Sequence, residues 1–441
     1  MRLYVYRFAA SISALLVFFA MSYLYAHGSR QSYFDILHSY GVLPFRFPFL
    51  DTAALLSAWE CARQGIDVIP ANLCDVLHRP FDYSPLWMAA SAIPLAGGDT
   101  MAVGWGLGFI FLLSLSLLPA PRRLSELMLV MSATLSTTVA FAIERANADL
   151  LMFLLALATG LLASYRLPAR LLGYGLALLA ASVKYYPILI LITTFRERCS
   201  VCWAVGLTTI GSVVVFWKAY HADIVRGLPF SEEGHYVTEF FSAQNLPFLF
   251  GEIAGKAANS ALVGQLEAGG LLVALVGLSA AICTRLLRFA ALRAALDSLS
   301  DVERALLVIG SAVIAGCFFA GQSIVYRGVF LLMVLPGLLA ISRSAGRGLR
   351  NLALGTSLVI VLLMWSECFR LAIWTSGYIF GFWLLRELCW WWSISVMLTV
   401  LFDFLESSLV LPQSLFLFRR AAGLVVSGIR REGNRTKLPT L

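Results

Sequence analysis

The residues able to do chemistry in this sequence are few, and they gather at the ends of apolar runs. Asp51, Asp67, Asp75 and Asp82 fall in one hydrophilic stretch. Glu144-Arg145-Ala146-Asn147-Ala148-Asp149 makes a polar turn between two apolar runs. Lys184 opens Lys184-Tyr185-Tyr186-Pro187, and Gln322 and Arg327 belong to a third short turn. Carboxylates beside fixed cations are the equipment for deprotonating a hydroxyl while stabilising a departing phosphate. Ionisable side chains at a membrane boundary are costly to place, which makes them functional candidates.

The elements that position these residues follow from composition. The chain has 441 residues, 60% hydrophobic and only 13% charged. A soluble domain carries about 25% charged residues, so this chain cannot cover a globule with polar surface. The runs Phe8–Ala26, Met101–Pro119, Cys199–Trp217 and Ala305–Tyr326 are almost free of charge. Each is near the roughly 20 residues of a bilayer-spanning helix. Backbone groups in lipid must pair within their own segment, so the runs read as helices. The short alternating strands of a membrane β-barrel are missing from the pattern. The net charge of +8 comes from Arg clusters between apolar runs. That is a topology signal and not a nucleic-acid surface.

Arg2 and Arg7 place the N-terminus in the cytoplasm, ahead of a retained signal anchor. Further spans are expected at about 101–119, 124–143, 150–165, 199–217, 268–284, 305–320 and 328–342, with two or three more between 351 and 404. The stretch from Arg170 to Arg196 has two readings. One helix would be about 39 Å long and would leave Lys184 inside the bilayer. A hairpin of two short helices turning at Lys184 to Pro187 keeps both Arg clusters on one side, and Pro187 suits the first turn of a new helix; the hairpin is favoured. The expectation is an all-α polytopic membrane protein of ten to thirteen spans. Residues 1–418 form one domain, with extracytoplasmic loops at about 27–87 and 218–267, and 419–441 form a basic cytoplasmic tail. On this topology the polar turns named above share the extracytoplasmic face.

Cys61 and Cys74 lie in the first hydrophilic stretch and can pair if it faces an oxidising compartment. Cys199 and Cys202 sit in an apolar run without a second pair, which argues against a metal site. Glu232, Glu233 and His235 read as a solvated loop. Tyr185, Tyr186, Trp87, Trp105 and the run Trp390-Trp391-Trp392 read as interface anchors. The sequon Asn434-Arg435-Thr436 falls in the expected cytoplasmic tail and is discounted.

Five segments taken in order resemble GT-C fold glycosyltransferases, especially the bacterial polyprenol-phosphate-mannose-dependent alpha-(1,2)-mannosyltransferase family. The first external segment reads Phe49-Leu50-Asp51, then Gly65-Ile66-Asp67-Val68-Ile69-Pro70, then Cys74-Asp75 and Arg79-Pro80-Phe81-Asp82-Tyr83-Ser84-Pro85-Leu86-Trp87. It is similar to the family's Asp after the first span, its "G-x-D-P-Y"-like turn and its "Y-P-P"-like approach to the next membrane segment. Glu144-Arg145-Ala146-Asn147 resembles the family's polar turn, Val183-Lys184-Tyr185-Tyr186-Pro187 its "K-x-Y-P" element, and Tyr326-Arg327 its late "Y-R". The resemblance runs from about Arg2 to Ile341. Val68-Ile69 stands where the family has Pro-Tyr, Ser84-Pro85 where it has Pro-Pro, and Asp82 where it often has Asn.

The resemblance implies a GT-C-like bundle in a bacterial inner membrane, with the active site extracytoplasmic. It implies transfer of mannose or a related hexose or pentose from a polyprenyl-phosphate donor to a glycan or glycolipid acceptor, with inversion. The phosphate is already a good leaving group, so one base suffices. Asp51 is the candidate base, or else a helix N-cap. Lys184 and Arg327 are candidates for the donor phosphate, or else cations snorkelling to headgroups. Arg145 is a third phosphate candidate, or an ion-pair partner of the flanking Glu144 and Asp149. Asn147 and Tyr326 are candidates for the sugar or acceptor, Asn147 alternatively a cap. Asp75 and Asp82 are candidates for the acceptor, for positioning Arg79 or for ligating a divalent cation, or else belong to a solvated loop. No cofactor is implied; a divalent cation is compatible, though no ligand cluster demands one. The competing readings are a transporter or flippase, which would favour repeats and midplane charges, and a structural subunit of an envelope assembly.

Overall fold

A chain in lipid has to pair its amides locally, and this one does so with helices throughout. The computed structural model describes residues 2–230, 238–344 and 346–408. In chain order come α1 (Arg2–His27), α2 (Arg30–Ser39), α3 (Leu50–Arg63), the short α4 (Leu86–Ala89), α5 (Thr100–Ser114), α6 (Leu124–Thr134), α7 (Thr137–Arg145), α8 (Ala148–Leu162) and α9 (Leu167–Val183). A 3-10 segment, Tyr186–Arg196, precedes α10 (Cys199–Gly227), α11 (Asn245–Ala258), α12 (Ala261–Leu287), α13 (Ala290–Asp297), α14 (Asp301–Ala320), α15 (Leu331–Ser344), α16 (Arg347–Met364), α17 (Ser366–Ala372) and α18 (Ile379–Glu406). The strands β1 (Phe240–Phe241) and β2 (Ser323–Ile324) pair antiparallel.

The described residues hold nine helices long and apolar enough to cross a membrane, with three shorter apolar helices at Ala148–Leu162, Leu167–Val183 and Tyr186–Arg196. The protein is a multi-pass, all-α membrane protein. Its centre is α14 and α15: 78% and 94% of their apolar windows are buried inside the protein, against 6% for α10, which stands at the periphery. Helices in lipid gain little from burying apolar surface and associate by close packing. Gly316 of α14 shows this. A Cβ there would lie 1.9 Å from a methyl of Leu189, so the bare glycine admits the Tyr186–Arg196 segment.

Alternating crossings sort the chain into two ends. At one, Arg343 meets Glu126 at 2.9 Å and Glu303 at 3.2 Å, and Arg293 meets Glu406 at 3.0 Å. At the other, the site end, lie α2, α3, the turns before α8 and α15, and the turn after α9. The tract from Arg170 to Arg196 is a hairpin. Lys184 is extended (φ −140°, ψ 122°), Pro187 stands in the first turn beyond it, and Arg170 pairs with Glu197 at 2.6 Å across the open ends. The returning arm is 3-10 rather than α-helical.

Several expectations change. Residues 218–267 are not one loop: α10 continues to Gly227, α11 fills the middle and α12 begins at Ala261. The tract from 351 to 404 holds two long helices, α16 and α18. Trp390 and Trp391 are not interface anchors. Trp390 stacks on Phe241 at 4.4 Å and Trp391 lies edge-on to Phe318 at 5.0 Å, both buried in the bundle. Asp51 is not a helix N-cap; Phe49, at φ 67°, holds that position, and Asp51 lies in the first turn. Cys61 and Cys74 are joined by a disulfide, which ties the end of α3 to the loop bearing Asp75 and Arg79. Glu232, Glu233 and His235, the sequon and the tail 419–441 lie outside the described residues.

Candidate functional site

The site grows from the turn between α7 and α8. Ala146 takes a left-handed conformation (φ 42°) that ends α7, and Asn147 then caps α8. The start of α3 is stitched to this turn: the Phe49 amide donates to the Glu144 carbonyl at 2.6 Å, and Thr52 Oγ1 to the Ala146 carbonyl at 2.7 Å. Asp51 is thereby held against Asn147, although 96 residues separate them.

Asn147 is the hub. Its Oδ1 accepts from the Asp149 amide at 2.8 Å and from Lys184 Nζ at 2.8 Å. Its Nδ2 donates to Asp51 Oδ2 at 2.6 Å and to the Tyr326 hydroxyl at 3.0 Å. Two donors on one side and a carboxylate on the other fix the amide's orientation. One neutral side chain thus spaces the cation from the carboxylate.

Asp149 is fully buried at the head of α8 and gathers the cations. Lys184 Nζ donates to its Oδ1 at 2.6 Å, as does the Tyr186 hydroxyl at 2.7 Å. Arg327 Nε stands 3.4 Å from Oδ2, while its Nη1 donates to Ser323 Oγ at 2.9 Å and its guanidinium lies 5.3 Å from the Tyr186 ring centre. Two cations share one carboxylate, leaving a unit of positive charge in excess. A buried charge persists only when paired, so Asp149 is what lets Lys184 and Arg327 stay charged and fixed.

A second triad adjoins it. Arg79 forms a two-point pair with buried Asp75 (Nε–Oδ2 2.9 Å, Nη2–Oδ1 3.2 Å) and places Nη1 3.6 Å from Asp51 Oδ1. Arg79 Nη2 also donates to the Leu50 carbonyl at 2.9 Å. Asp75 is therefore an anchor for Arg79 and not a solvated loop residue.

Asn147, Lys184, Tyr186, Tyr326 and Arg327 of these groups border a cavity of about 560 Å³. Its polar wall also takes in Asp82, Tyr83, Ser84 and Tyr185, and its apolar wall includes Ile188, Leu189 and Ala320. Asp51 is not a wall residue; it meets the cavity through Asn147. Asp82 is solvent-exposed, yet desolvation by the groups around the cavity raises its carboxyl above the ordinary carboxylate value, and the Asp51 charge adds to the shift although Lys184 and Arg79 oppose it. Burial likewise raises the Tyr83 phenol.

Of the expected residues, Asp51, Asp82, Asn147, Lys184, Tyr326 and Arg327 converge here. Arg145 does not: it pairs with Glu144 at 3.3 Å and lies 4.2 Å from the Phe45 ring. Gln322 turns to Asn245 at 3.3 Å. Tyr186, expected as an interface anchor, belongs to the site. Asp149, a neighbour of Arg145 in sequence, instead stands between Lys184 and Arg327, a role signalled in the sequence only by its place at the first turn of an apolar helix. Among the described residues no three His, Cys, Asp or Glu side chains gather to hold a metal. No known protein family, curated protein or solved structure matches the chain.

Proposed function

We propose that this protein is a membrane glycosyltransferase of GT-C-like architecture. It transfers mannose or a related sugar from a polyprenyl-phosphate donor to a glycan or glycolipid acceptor at the extracytoplasmic face of a bacterial inner membrane. The observation that carries this reading is the convergence of Lys184 and Arg327, from segments far apart in sequence, on one cavity with carboxylates at its edge and an apolar flank. The cations suit a phosphate, Arg as a planar fork and Lys as a point charge. The flank of Ile188, Leu189 and Ala320 suits a lipid chain. The disulfide near the site agrees with an oxidising compartment.

In this mechanism a carboxylate takes the proton of an acceptor hydroxyl. The hydroxyl oxygen bonds to the anomeric carbon as the bond from that carbon to the phosphate oxygen breaks. The bonding pair leaves on the phosphate, whose charge Lys184 and Arg327 offset. Attack opposite the leaving group inverts the configuration. Asp51 is the proposed base, with Asn147 and Arg79 holding its carboxylate. One observation favours Asp82 instead: it lines the cavity, and Asp51 does not.

The test is turnover by the purified protein with a panel of polyprenyl-phosphate sugars and a range of acceptors. Asp51→Asn is expected to abolish transfer while donor binding persists. Full activity in Asp51→Asn with none in Asp82→Asn moves the base to Asp82. No turnover with any donor would shift the reading to transport or envelope assembly.

A further inference from the structure

A second cavity, of about 400 Å³, backs onto the first. Its volume is within the roughly 300–1,000 Å³ typical of small-molecule sites. The two cavities share Asp82, Tyr83 and Tyr185 as a common wall. The far wall comes from the end of α10, through Asp223 and Arg226, and from the loop after α3, through Asp67.

The charges on the two sides of the common wall are opposite in sign. Beyond Asp82, the first cavity is walled by two cations, Lys184 and Arg327, which share Asp149 and leave one positive charge over. The second is walled by two carboxylates, Asp67 and Asp223, against one cation, Arg226. Arg226 is already committed: it donates to Asp67 and stands 3.9 Å from Asp223. Among the described residues lining the second cavity, no other cation faces an incoming anion. Its floor is aromatic, with the Phe81 and Tyr83 rings 5.8 Å apart. Carboxylates accept hydrogen bonds from hydroxyl groups, and an aromatic face packs against the C–H face of a sugar ring.

We propose that the second cavity binds the acceptor as an uncharged polyol, the end of a neutral glycan, and discriminates against phosphorylated or uronic-acid-bearing chains. The word acceptor rests on the transferase reading; the binding chemistry does not. The donor phosphate and the acceptor hydroxyls are thereby sorted by charge before they meet at the common wall.

The experiment uses the full chain in nanodiscs and measures binding rather than turnover. The probes are a neutral mannooligosaccharide, the same oligosaccharide carrying a terminal phosphate, and decyl phosphate as a stand-in for the donor headgroup. The neutral sugar is expected to bind about tenfold or more tightly than its phosphorylated form, because the walls repel the added charge. Met88→Trp, which fills the second cavity, is expected to weaken neutral sugar about tenfold and leave decyl phosphate unchanged. Asp223→Lys, a milder change on an exposed wall, is expected to abolish the discrimination. Equal or tighter binding of the phosphorylated sugar overturns the proposal, as does no binding of the neutral one. It is also overturned if Met88→Trp weakens decyl phosphate and spares the sugar. Intact sugar binding with no turnover on any donor would sink the transferase reading and leave this one standing.

Discussion

At the scale of single residues the site is a set of paired charges held apart by Asn147. Its amide separates the Asp51 carboxylate from the Lys184–Asp149 pair while touching all three. Asn147→Leu is expected to free Asp51 and Lys184 together, lowering kcat more than it raises KM, because orientation and not attraction is lost. Lys184→Met leaves Asp149 with only the 3.4 Å contact to Arg327 as a charge partner. Removing one partner of a buried pair costs about 3–5 kcal/mol, and the remaining arginine places this variant at the lower end. Denaturation in detergent checks it, with Lys184→Arg, which keeps a cation beside Asp149, expected to recover most of the loss. Asp82 predicts a pH effect. Desolvation at the cavity edge and the nearby Asp51 charge favour its protonated form, although the residue is exposed, so a reaction that uses it as base fails as pH falls through a value above the ordinary carboxylate range. If the acid limb of the pH–rate profile lies at the ordinary value, Asp82 is not that base.

At the scale of elements, the short pieces do the positioning. Residues 323–327 carry Arg327, and β1 holds them through its pairing with β2. Behind β1 stands Arg386 of α18, buried, donating to the Thr238 carbonyl at 2.8 Å and the Phe240 carbonyl at 3.3 Å. It also pairs with Glu367 at 3.1 Å and Glu387 at 3.0 Å. Arg386→Met takes the cation from buried Glu387, while Glu367 keeps Arg370 at 2.6 Å, and the expected cost is about 3–5 kcal/mol. A loss below 1 kcal/mol in the same denaturation assay would show that the network is not holding this end of the bundle. Gly41 makes a comparable demand. It has φ +87°, and a Cβ there would stand 2.3 Å from the Cys368 amide nitrogen. Gly41→Ala is expected to unseat the end of α2 from α17.

At the scale of the whole molecule, the ends differ in purpose. The end opposite the site is closed by Arg–carboxylate pairs such as Arg343 with Glu126 and Glu303. The site end leaves its cavities open. A membrane-impermeant thiol reagent applied to intact cells is expected to label a cysteine placed at Asp223 and not one at Arg285, if the site faces outward. The opposite pattern would overturn the proposed orientation. The tether between Asp67 and Arg226 adds a pH dependence. Desolvation is the largest single effect and raises the Asp67 carboxyl, but the hydrogen bonds from Arg226 and the Ile69 amide and the Arg226 charge together outweigh it, so its pKa is lowered on folding. A lowered carboxylate pKa contributes above the unfolded value of about 3.9 and is lost as pH falls through the folded value. Both side chains are half exposed, so acid is expected to loosen the end of α10 without unfolding the bundle, read as faster amide exchange there below about pH 4.

Hydropathy is a local property, and local properties were legible. The long spans, their helical nature and the hairpin at Lys184 to Pro187 follow from run length, from the cost of unpaired amides in lipid and from where arginines sit. The polar turns were legible as well, because charge at the edge of an apolar run stands out in any window. The tertiary structure decided which turns meet. Glu144, Arg145, Asn147 and Asp149 are neighbours in sequence, yet the left-handed turn at Ala146 sends Glu144 and Arg145 toward Phe45 and Asn147 and Asp149 toward Lys184 and Arg327. The burial of Trp390 and Trp391 was equally invisible, since an apolar aromatic run reads the same facing lipid or protein. Pairing across 96 or 179 residues depends on the order in which helices pack, which no local pattern carries.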